Sequence, residues 1–322
     1  MFYSLKENAM KKGKLFILIQ LIVVNLILLI MTNCSTQKKK IVFTNYSNFK
    51  LGFTTQNFIG CLPVTPENTK MLLDYAANKG FSFIELRDPD AILTFEECSD
   101  IANYAREKEI EMAYSNQRGL LDPDFWNIFK KGVKNASAFT GPKTIRATLS
   151  GKNFTEDPGK VEFTRDEFTK SVEIANQAAQ MAGEQGMQFV IENGNELFIE
   201  SIDSIYGFES FFKQVNPNVD WQFDTGNPFA NKNTYVNPDS VKQYLERHAR
   251  QIKYDHLKSA QNYKAQKILC KNDLDFNDII KILSANNINF ISIELLVDSV
   301  KNTVFENMDK SLDYLRSEGY IK

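Results

Sequence analysis

The sequence predicts a single-domain α/β protein, a (β/α)8 TIM barrel that follows an N-terminal signal segment. Three observations support this fold class. Short apolar runs alternate with amphipathic helix patterns, the interval between successive runs is nearly constant, and the length suits one barrel. Barrels of this class take about 250 residues as a single unit, and roughly 270 residues follow the signal segment.

Eight apolar runs are candidate strands. They are almost continuously apolar, which is typical of parallel strands that are covered by helices. Successive runs end 30 to 32 residues apart, except for two longer intervals of 46 and 38 residues. Eight strands that each lead into a helix favour a closed parallel barrel over an open sheet. The predicted strands end at Thr54, Glu85, Ser115, Arg146, Glu192, Asp224, His256 and Glu294.

Helix start signals lie between these runs. Capping boxes begin at Thr94 and Thr164, where a threonine side chain and a glutamate three residues later satisfy free backbone amides. Further helix patterns begin at Thr65, Pro238 and Asp275. Each pattern carries apolar residues three and four positions apart, which gives the helix one buried stripe.

An open, doubly wound sheet is the main alternative fold. A sheet of that kind that binds a dinucleotide has a glycine-rich turn after its first strand, and no such turn follows Thr54. The barrel therefore remains the better prediction. Its 46-residue interval contains the loop 150–163, SGKNFTEDPGKVEF, which is long enough to act as a lid.

The first 33 residues resemble an export signal, because four lysines precede the 17-residue apolar run 15–31. This run is at the short limit for a membrane span. Met31-Thr32-Asn33-Cys34-Ser35 resembles a bacterial lipobox. We therefore predict a signal peptide at 1–33, lipidation of Cys34, a lipidated tether at 34–49 and a barrel at 50–322. An uncleaved signal anchor is the alternative. Either arrangement predicts an exported protein anchored to a membrane, on the periplasmic side or at the cell surface.

The composition limits the classes of partner. Removing residues 1–33 changes the net charge from −2 to −5, since that segment carries four lysines and one glutamate. A mildly acidic chain without a basic block is not expected to bind nucleic acid. Cys61, Cys98 and Cys270 are isolated and odd in number. They indicate single thiols, and neither a disulfide framework nor a zinc site.

Four consecutive predicted strands, the fifth to the eighth, end in metal-ligand residue types: Glu192, Asp224, His256 and Glu294. The carboxyl ends of barrel strands converge on one face. Three carboxylates and one imidazole suit a divalent cation such as Mn²⁺, Mg²⁺, Co²⁺ or Zn²⁺. Without a cation, the three carboxylates would repel one another strongly. The alternative for each residue taken alone is that it satisfies a strand-end amide or faces solvent.

In their order and spacing, the segments IEN, DTGN, HLK and SIE resemble the xylose isomerase-like TIM barrels of the sugar phosphate isomerase/epimerase type, over roughly residues 50–320. The resemblance implies one divalent metal, most often Mn²⁺, held by the four residues. It also implies that Glu192 and Glu294 move protons on opposite faces of a carbon beside a carbonyl, with Asp224 and His256 as ligands only. Metal binding at a carbonyl and a neighbouring hydroxyl would stabilise the enediolate that such proton transfer forms.

The residues around these four ligands depart from the family pattern. Asn227 stands where the family's DTGH motif has a second histidine, and the arginine often found shortly after the HLK segment is absent. The predicted metal site is therefore intact, whereas the residues that hold the substrate differ.

Five more side chains near predicted strand ends are candidates for substrate binding. Structural roles are the alternative for each, such as an ion pair between Arg146 and Glu85 or a solvated Lys258. The five candidates are Glu85, Arg146, Asn193, Asn227 and Lys258.

The leading functional hypothesis is a metal-dependent sugar isomerase or epimerase that acts on a small carbohydrate outside the cytoplasm. Export disfavours a phosphorylated substrate, because sugar phosphates are chiefly cytoplasmic. Two alternatives stay open. One is a keto-sugar lyase or dehydratase with the same metal site, and the other is a non-catalytic carbohydrate-binding lipoprotein. The sequence leaves the sugar, the metal and the oligomeric state undetermined.

Overall fold

The structure, a computed structural model, describes residues 39–116, 118–149, 165–194, 208–230, 232 and 237–322. Eight parallel strands, β1 to β8, form a nearly closed barrel, which confirms the predicted fold class. The strands span Lys50–Thr54, Phe83–Arg87, Glu111–Ser115, Thr144–Thr148, Gln188–Glu192, Val219–Asp224, Ile252–Leu257 and Phe290–Ile293.

A helix follows each strand and covers the outside of the barrel. The helices, α1 to α8, span Pro66–Lys79, Phe95–Glu107, Phe125–Ala136, Arg165–Glu184, Phe208–Gln214, Pro238–His248, Phe276–Ala285 and Lys301–Ser317. Short 3₁₀ turns lie at Thr55–Phe58, Asn227–Phe229 and Ala249–Gln251, and a small antiparallel ribbon after β7 pairs Ala260–Gln261 with Lys264–Ala265.

The strands pair in the order β3-β2-β1-β8-β7-β6-β5-β4, so β3 and β4 face each other across a seam. Loop residues after β3 bridge this seam. The backbone N–H of Thr148 donates to the carbonyl of Arg118 and the N–H of Leu120 donates to the carbonyl of Thr148, each at 3.0 Å. Near the start of β4, a Cβ atom on Gly141 would overlap the carbonyl oxygen of Met112, so this close approach requires glycine.

The barrel interior is polar toward the carboxyl ends of the strands. Side chains alternate along each strand between the helices outside and the barrel axis inside. Aromatic residues such as Phe53 and Phe81 pack outside with a 5.0 Å separation of ring centroids. The buried polar and charged side chains of the strands include Glu85, Arg87, Arg146, Gln222, Asp224 and His256. Such groups are stable in a core only when they are paired, so their partners define the site.

The predicted helix caps are present where the structure describes them. At α2, the N–H of Glu97 donates to Thr94 Oγ1 at 3.1 Å, and the N–H of Thr94 donates to Glu97 Oε2 at 2.8 Å. Helix α1 is capped by Thr65, and the side chain of Asp275 caps α7. The capping box at Thr164 and the loop 150–163 lie outside the described residues.

The N-terminal boundary of the barrel differs from the prediction. Ile41, Phe43 and Phe49 are buried, and residues 42 and 44 hydrogen-bond to Lys322 and Tyr320. Residues from Lys40 onward belong to the barrel unit, so the predicted tether at 34–49 extends too far. The proposed signal peptide and Cys34 lie outside the described residues. Within the described part of the chain, none of the helices has the length and apolarity needed to span a membrane.

Candidate metal centre

Four neighbouring strands carry the predicted metal ligands to one place. Glu192 and Asp224 are the last residues of β5 and β6, His256 lies one residue before the end of β7, and Glu294 directly follows β8. One ligand atom from each residue lies within 4.8 Å of the others, and all four residues are buried. The adjacency of β5, β6, β7 and β8 in the sheet therefore creates a compact set of three carboxylates and one imidazole.

The imidazole of His256 lies between the carboxylates. Its Nδ1 atom is 2.9 Å from Glu294 Oε2, 3.1 Å from Glu192 Oε1 and 3.9 Å from Asp224 Oδ2. Its Nε2 atom points away from these ligands and lies 2.5 Å from Glu85 Oε2. The side of the ring that carries Nδ1 therefore faces the cluster.

Asp224 provides the test of whether a cation fits this cluster. Its Oδ1 atom accepts hydrogen bonds from the backbone N–H groups of Gly226 and Asn227, both at 2.8 Å. Its Oδ2 atom is buried and has no hydrogen-bond partner among the described residues, although Lys258 Nζ lies 3.5 Å away. A buried carboxylate oxygen without a hydrogen bond is costly, and a divalent cation would satisfy it. The donor set of three carboxylates and one nitrogen thus fits a hard or borderline divalent metal.

Cationic side chains balance the glutamates of the cluster. Arg146 forms an ion pair with Glu192. Glu294 accepts from Lys258 Nζ at 2.9 Å through Oε1, and its Oε2 lies 3.4 Å from Arg87 Nη2. Burial lowers the pKa of Arg146 to about 10, which still leaves it charged at neutral pH. Both glutamates therefore have a cation in contact before any metal binds.

The buried charges shift several pKa values. Burial acts to lower the pKa of His256, but the carboxylates of Glu85 and Glu294 outweigh it and raise this pKa to about 9. Burial opposes ionisation of Glu294, yet Lys258 and His256 hold the pKa of Glu294 well below its usual range. Burial raises the pKa of Asp224. In the metal-free protein, the imidazolium thus serves as an internal counter-ion for the carboxylates.

We expect the affinity for a divalent metal to rise with pH up to about 9. His256 must lose a proton before it can ligate, and below its raised pKa the proton competes with the metal. The affinity should increase by up to ~tenfold per pH unit in this range, with release of about one proton per ion at pH 7. Calorimetry in two buffers of different ionisation enthalpy measures the released protons. Binding without proton release would contradict a charged His256.

The segment that follows β6 positions Lys258. Thr225 Oγ1 accepts from the backbone N–H of Lys258 at 2.8 Å and donates to its carbonyl at 2.7 Å. A Cβ atom on Gly226 would lie 2.8 Å from the Cγ of Lys258, so glycine leaves room for the lysine chain. Asn227 Oδ1 accepts from Lys258 Nζ at 3.1 Å. Asn227 and Lys258, two predicted substrate-binding residues, therefore contact each other beside Glu294.

The side-chain amide of Asn193 is engaged in hydrogen bonds within the protein, unlike a group that is free to bind substrate. Its Oδ1 accepts from the backbone N–H of Asp224 at 2.7 Å and from Trp221 Nε1 at 3.2 Å. Its Nδ2 donates to the carbonyl of Asp224 at 2.9 Å. The buried amide thus uses both its oxygen and its nitrogen in holding the end of β6. Substrate binding by Asn193 stays a prediction that this geometry does not favour.

Glu85 and Arg146 do not end their strands, contrary to the sequence prediction. Strand β2 continues to Arg87 and β4 continues to Thr148, so both predicted ends lie within the strands. Glu85 is completely buried beneath the mouth of the barrel and contacts His256. Arg146 forms its ion pair with Glu192, whereas one of the sequence-based alternatives was an ion pair with Glu85. These positions support the metal ligands, whereas a direct contact with substrate is left as a prediction.

The sequence analysis missed four residues at the site, one of which is Gln222, whose amide lies 3.0 Å from His256 Nε2. Arg87 and Tyr254 lie two positions from Glu85 and His256, on the same faces of β2 and β7. The alternation of side chains along a strand would have indicated both, had the strand ends been placed correctly. Asn57 donates to the carbonyl of Ile293 at 3.0 Å, and its Oδ1 accepts from the N–H of Leu295 at 2.8 Å. It thus fixes the backbone on either side of Glu294, and no local sequence signal indicates this.

The family model described as xylose isomerase-like TIM barrel matches residues 73–318, which is most of the chain. The protein therefore belongs to the xylose isomerase-like TIM barrel family, as the sequence resemblance predicted. A sequence search among curated proteins gives no match.

Several solved structures are similar in fold. A sugar phosphate isomerase/epimerase from Parabacteroides distasonis has 17% identity and a TM-score of 0.62, over 85% of this chain and 96% of its own. D-Psicose 3-epimerase from Clostridium cellulolyticum has 16% identity and a TM-score of 0.63, over 84% and 99%. A xylose isomerase-like TIM barrel protein from Mycobacterium smegmatis has 14% identity and a TM-score of 0.63, over 84% and 97%. At these identities the likeness establishes the fold.

Proposed function

We propose that this protein is a divalent-metal-dependent sugar isomerase or epimerase that moves a proton on a carbon next to a carbonyl. The observation that carries the proposal is the pair Glu192 and Glu294, which enter one buried cluster from β5 and β8 with Asp224 and His256 between them. Similar folds include an epimerase crystallised with D-tagatose and a protein in complex with magnesium. The first supports a sugar substrate for this chain, and the second supports a metal.

In the proposed reaction, Glu192 and Glu294 carry out the two proton transfers. One glutamate takes the proton from the carbon beside the carbonyl, and the other returns a proton to it, from the opposite face in an epimerase. A divalent ion held by the four ligands would supply positive charge to the substrate's carbonyl oxygen and neighbouring hydroxyl. Lys258 and His256 hold the pKa of Glu294 well below its usual range against the effect of burial, so Glu294 is ionised and can take the proton. Glu192 must then enter the step protonated in order to return a proton to the opposite face.

A keto-sugar lyase or dehydratase is the second candidate. Elimination needs an acid for the departing hydroxyl, and Lys258 Nζ is the cation that lies 2.9 Å from Glu294. Burial acts to lower the pKa of Lys258, but Asp224 and Glu294 outweigh it and raise this pKa, so the substrate's leaving oxygen would have to compete with them for the proton. The site therefore holds a third group that can move a proton, beside the predicted pair. Loss of water from the substrate distinguishes this reaction from isomerisation.

The function is tested by hydrogen exchange in deuterated water. The protein loaded with Mn²⁺ should replace the hydrogen next to the carbonyl of a suitable keto-sugar with deuterium, as measured by mass spectrometry after removal of the metal. Protein stripped of metal serves as the control and should not exchange it. A product lighter by one water would favour the lyase. Binding of sugars with no exchange in any of them would indicate the non-catalytic carbohydrate-binding lipoprotein instead.

We also propose that the protein is exported and anchored to a membrane through lipidated Cys34, with its barrel outside the cytoplasm. The support is the sequence of residues 1–35 alone. A bacterial lipoprotein cysteine carries several acyl chains, which give lasting attachment where one chain gives only marginal binding.

Replacing Cys34 with serine should leave an unprocessed precursor that incorporates no labelled fatty acid. The variant Cys61→Ser is a matched control, because Cys61 lies in the barrel and should not affect processing. Gel mobility and label incorporation in both variants provide the measurement. A Cys34→Ser protein that is processed and labelled like the wild type would show that the lipobox interpretation is wrong.

A further inference from the structure

The two ring nitrogens of His256 face different surroundings. Nδ1 faces the carboxylates of Glu192 and Glu294, at 3.1 and 2.9 Å. Nε2 faces the interior of the barrel, where the nearest partner is Glu85 Oε2 at 2.5 Å. A neutral imidazole has a proton on only one of these atoms. Metal binding at this cluster therefore requires that the proton stay on Nε2 and leave Nδ1.

Glu85 has the properties needed to keep the proton on Nε2. It lies in the middle of β2 and is fully buried, with its other oxygen 3.4 Å from Arg87 Nη2. Next to a guanidinium it is a carboxylate, which accepts hydrogen bonds and donates none. A short contact between this carboxylate and Nε2 requires a proton on Nε2. The same Arg87 nitrogen lies 3.4 Å from Glu294, so it links Glu85 to the metal cluster.

Two neutral side chains are the competing partners of Nε2. Tyr254 Oη lies 3.2 Å from it, and Gln222 Nε2 lies 3.0 Å from it and 3.3 Å from Nδ1. The amide nitrogen of Gln222 only donates, so with Nε2 protonated the amide must turn to present Oε1, which has no hydrogen-bond partner among the described residues. A hydroxyl either donates or accepts, so Tyr254 does not by itself select a tautomer. Burial and the nearby Glu85 carboxylate raise the pKa of Tyr254 well above its usual value, so its hydroxyl is neutral. The contact with Glu85 is the shortest of the three and the only one made by a charged group, and it therefore decides which nitrogen is protonated.

We propose that Glu85 is a positioning residue that holds His256 as the Nε2–H tautomer and aims the lone pair of Nδ1 at the metal. The inference rests on the proposed metal centre and replaces the substrate-binding role predicted for Glu85. Groups that hold the second nitrogen of a metal-binding histidine typically change metal affinity by about 10- to 100-fold. Glu85 acts through His256 and touches neither the metal nor the substrate.

The chain offers a direct measurement, because it contains only two histidines, His248 and His256. Protein labelled with ¹⁵N-histidine and loaded with Zn²⁺, a diamagnetic probe, should give two imidazoles in a heteronuclear spectrum. The variant His248→Gln assigns the second ring. We expect His256 to be protonated at Nε2 and bound to zinc through Nδ1. Zinc bound through Nε2 in the wild type would overturn the proposal.

Substitutions test whether Glu85 is the cause. Glu85→Ala should lower Zn²⁺ affinity by about 10- to 100-fold and lose the Nε2–H signal. Glu85→Gln keeps an accepting oxygen, so it should retain more of the Zn²⁺ affinity and of the Nε2–H signal than Glu85→Ala does. Tyr254→Phe, which removes the competing hydroxyl, should keep the affinity and the tautomer. Wild-type affinity in both Glu85 variants, or a larger loss in Tyr254→Phe, would overturn the proposal.

If Glu85→Ala does not fold, the wild-type spectrum still tests the proposal, because zinc bound through Nε2 would overturn it. The binding experiment needs no substrate, so its result separates from that of the proposed activity. A wild-type protein that binds no metal would remove the proposed function together with this inference. Metal binding that does not depend on Glu85 would remove the inference alone.

Discussion

Glu192→Gln and Glu294→Gln should each lower turnover by about 10²- to 10⁴-fold, which is the usual contribution of a general acid or base. The amide keeps an oxygen for the metal but cannot exchange a proton at neutral pH. Metal affinity should therefore fall much less than the rate. Single-turnover kinetics on a substrate that shows exchange, measured beside metal affinity, separates the two effects.

A matched control for these variants is Glu111→Gln. Glu111 begins β3 at the opposite end of the barrel and pairs with Lys50, so its substitution should leave the rate unchanged. A near-wild-type rate in either Glu192→Gln or Glu294→Gln would show that another group carries the proton, and Lys258 is the nearest candidate. A rate that excess metal restores would assign the glutamate to metal binding alone.

His256→Ala should lower the affinity for Mn²⁺ or Zn²⁺ by more than ~100-fold, because loss of a group that only supports a ligand already costs about 10- to 100-fold. The substitution removes the one nitrogen donor of the cluster. It also leaves Glu192 and Glu294 without the imidazolium that balances them in the metal-free protein. Isothermal titration calorimetry and elemental analysis of the purified protein measure the loss.

His248→Ala is the matched control for this prediction. The ring of His248 stacks near Tyr244 with a centroid separation of 4.5 Å, and its Nδ1 contacts Gln251 at 3.1 Å. It lies on α6, outside the barrel, so its loss should leave metal affinity at the wild-type level. Equal losses in the two histidine variants would contradict a metal site at the ends of the strands.

The positions of the four proposed ligands could be predicted because they depend on few assumptions. In a barrel of parallel strands, the carboxyl ends of neighbouring strands lie together, and this does not depend on how the helices pack. The same reasoning failed for Glu85 and Arg146, where an error of two residues in the strand end misplaced the side chains relative to the mouth. Strand length depends on pairing with the next strand in the sheet, which the local sequence does not contain.

The boundary of the domain was misplaced for a related reason. The polar, lysine-rich segment after Cys34 indicates a solvated tether, and the prediction extends this tether to residue 49. Phe43 is buried where it pairs with Ile321 near the end of the chain, and the backbone N–H of buried Ile41 donates to the carbonyl of Gly80. A contact across the whole length of the chain made this segment part of the barrel.

Features that a few neighbouring residues encode follow from the sequence alone: the helix caps at Thr94 and Asp275, the repeat of strand and helix, and the ligand types at four strand ends. The pairing of the buried groups, in contrast, depends on how the whole chain folds. Glu85 and His256 meet across 171 positions of the chain, and Asn57 reaches Leu295 across 238. Capping and periodicity act over a few residues, whereas pairing inside the barrel depends on closure and register of the whole sheet.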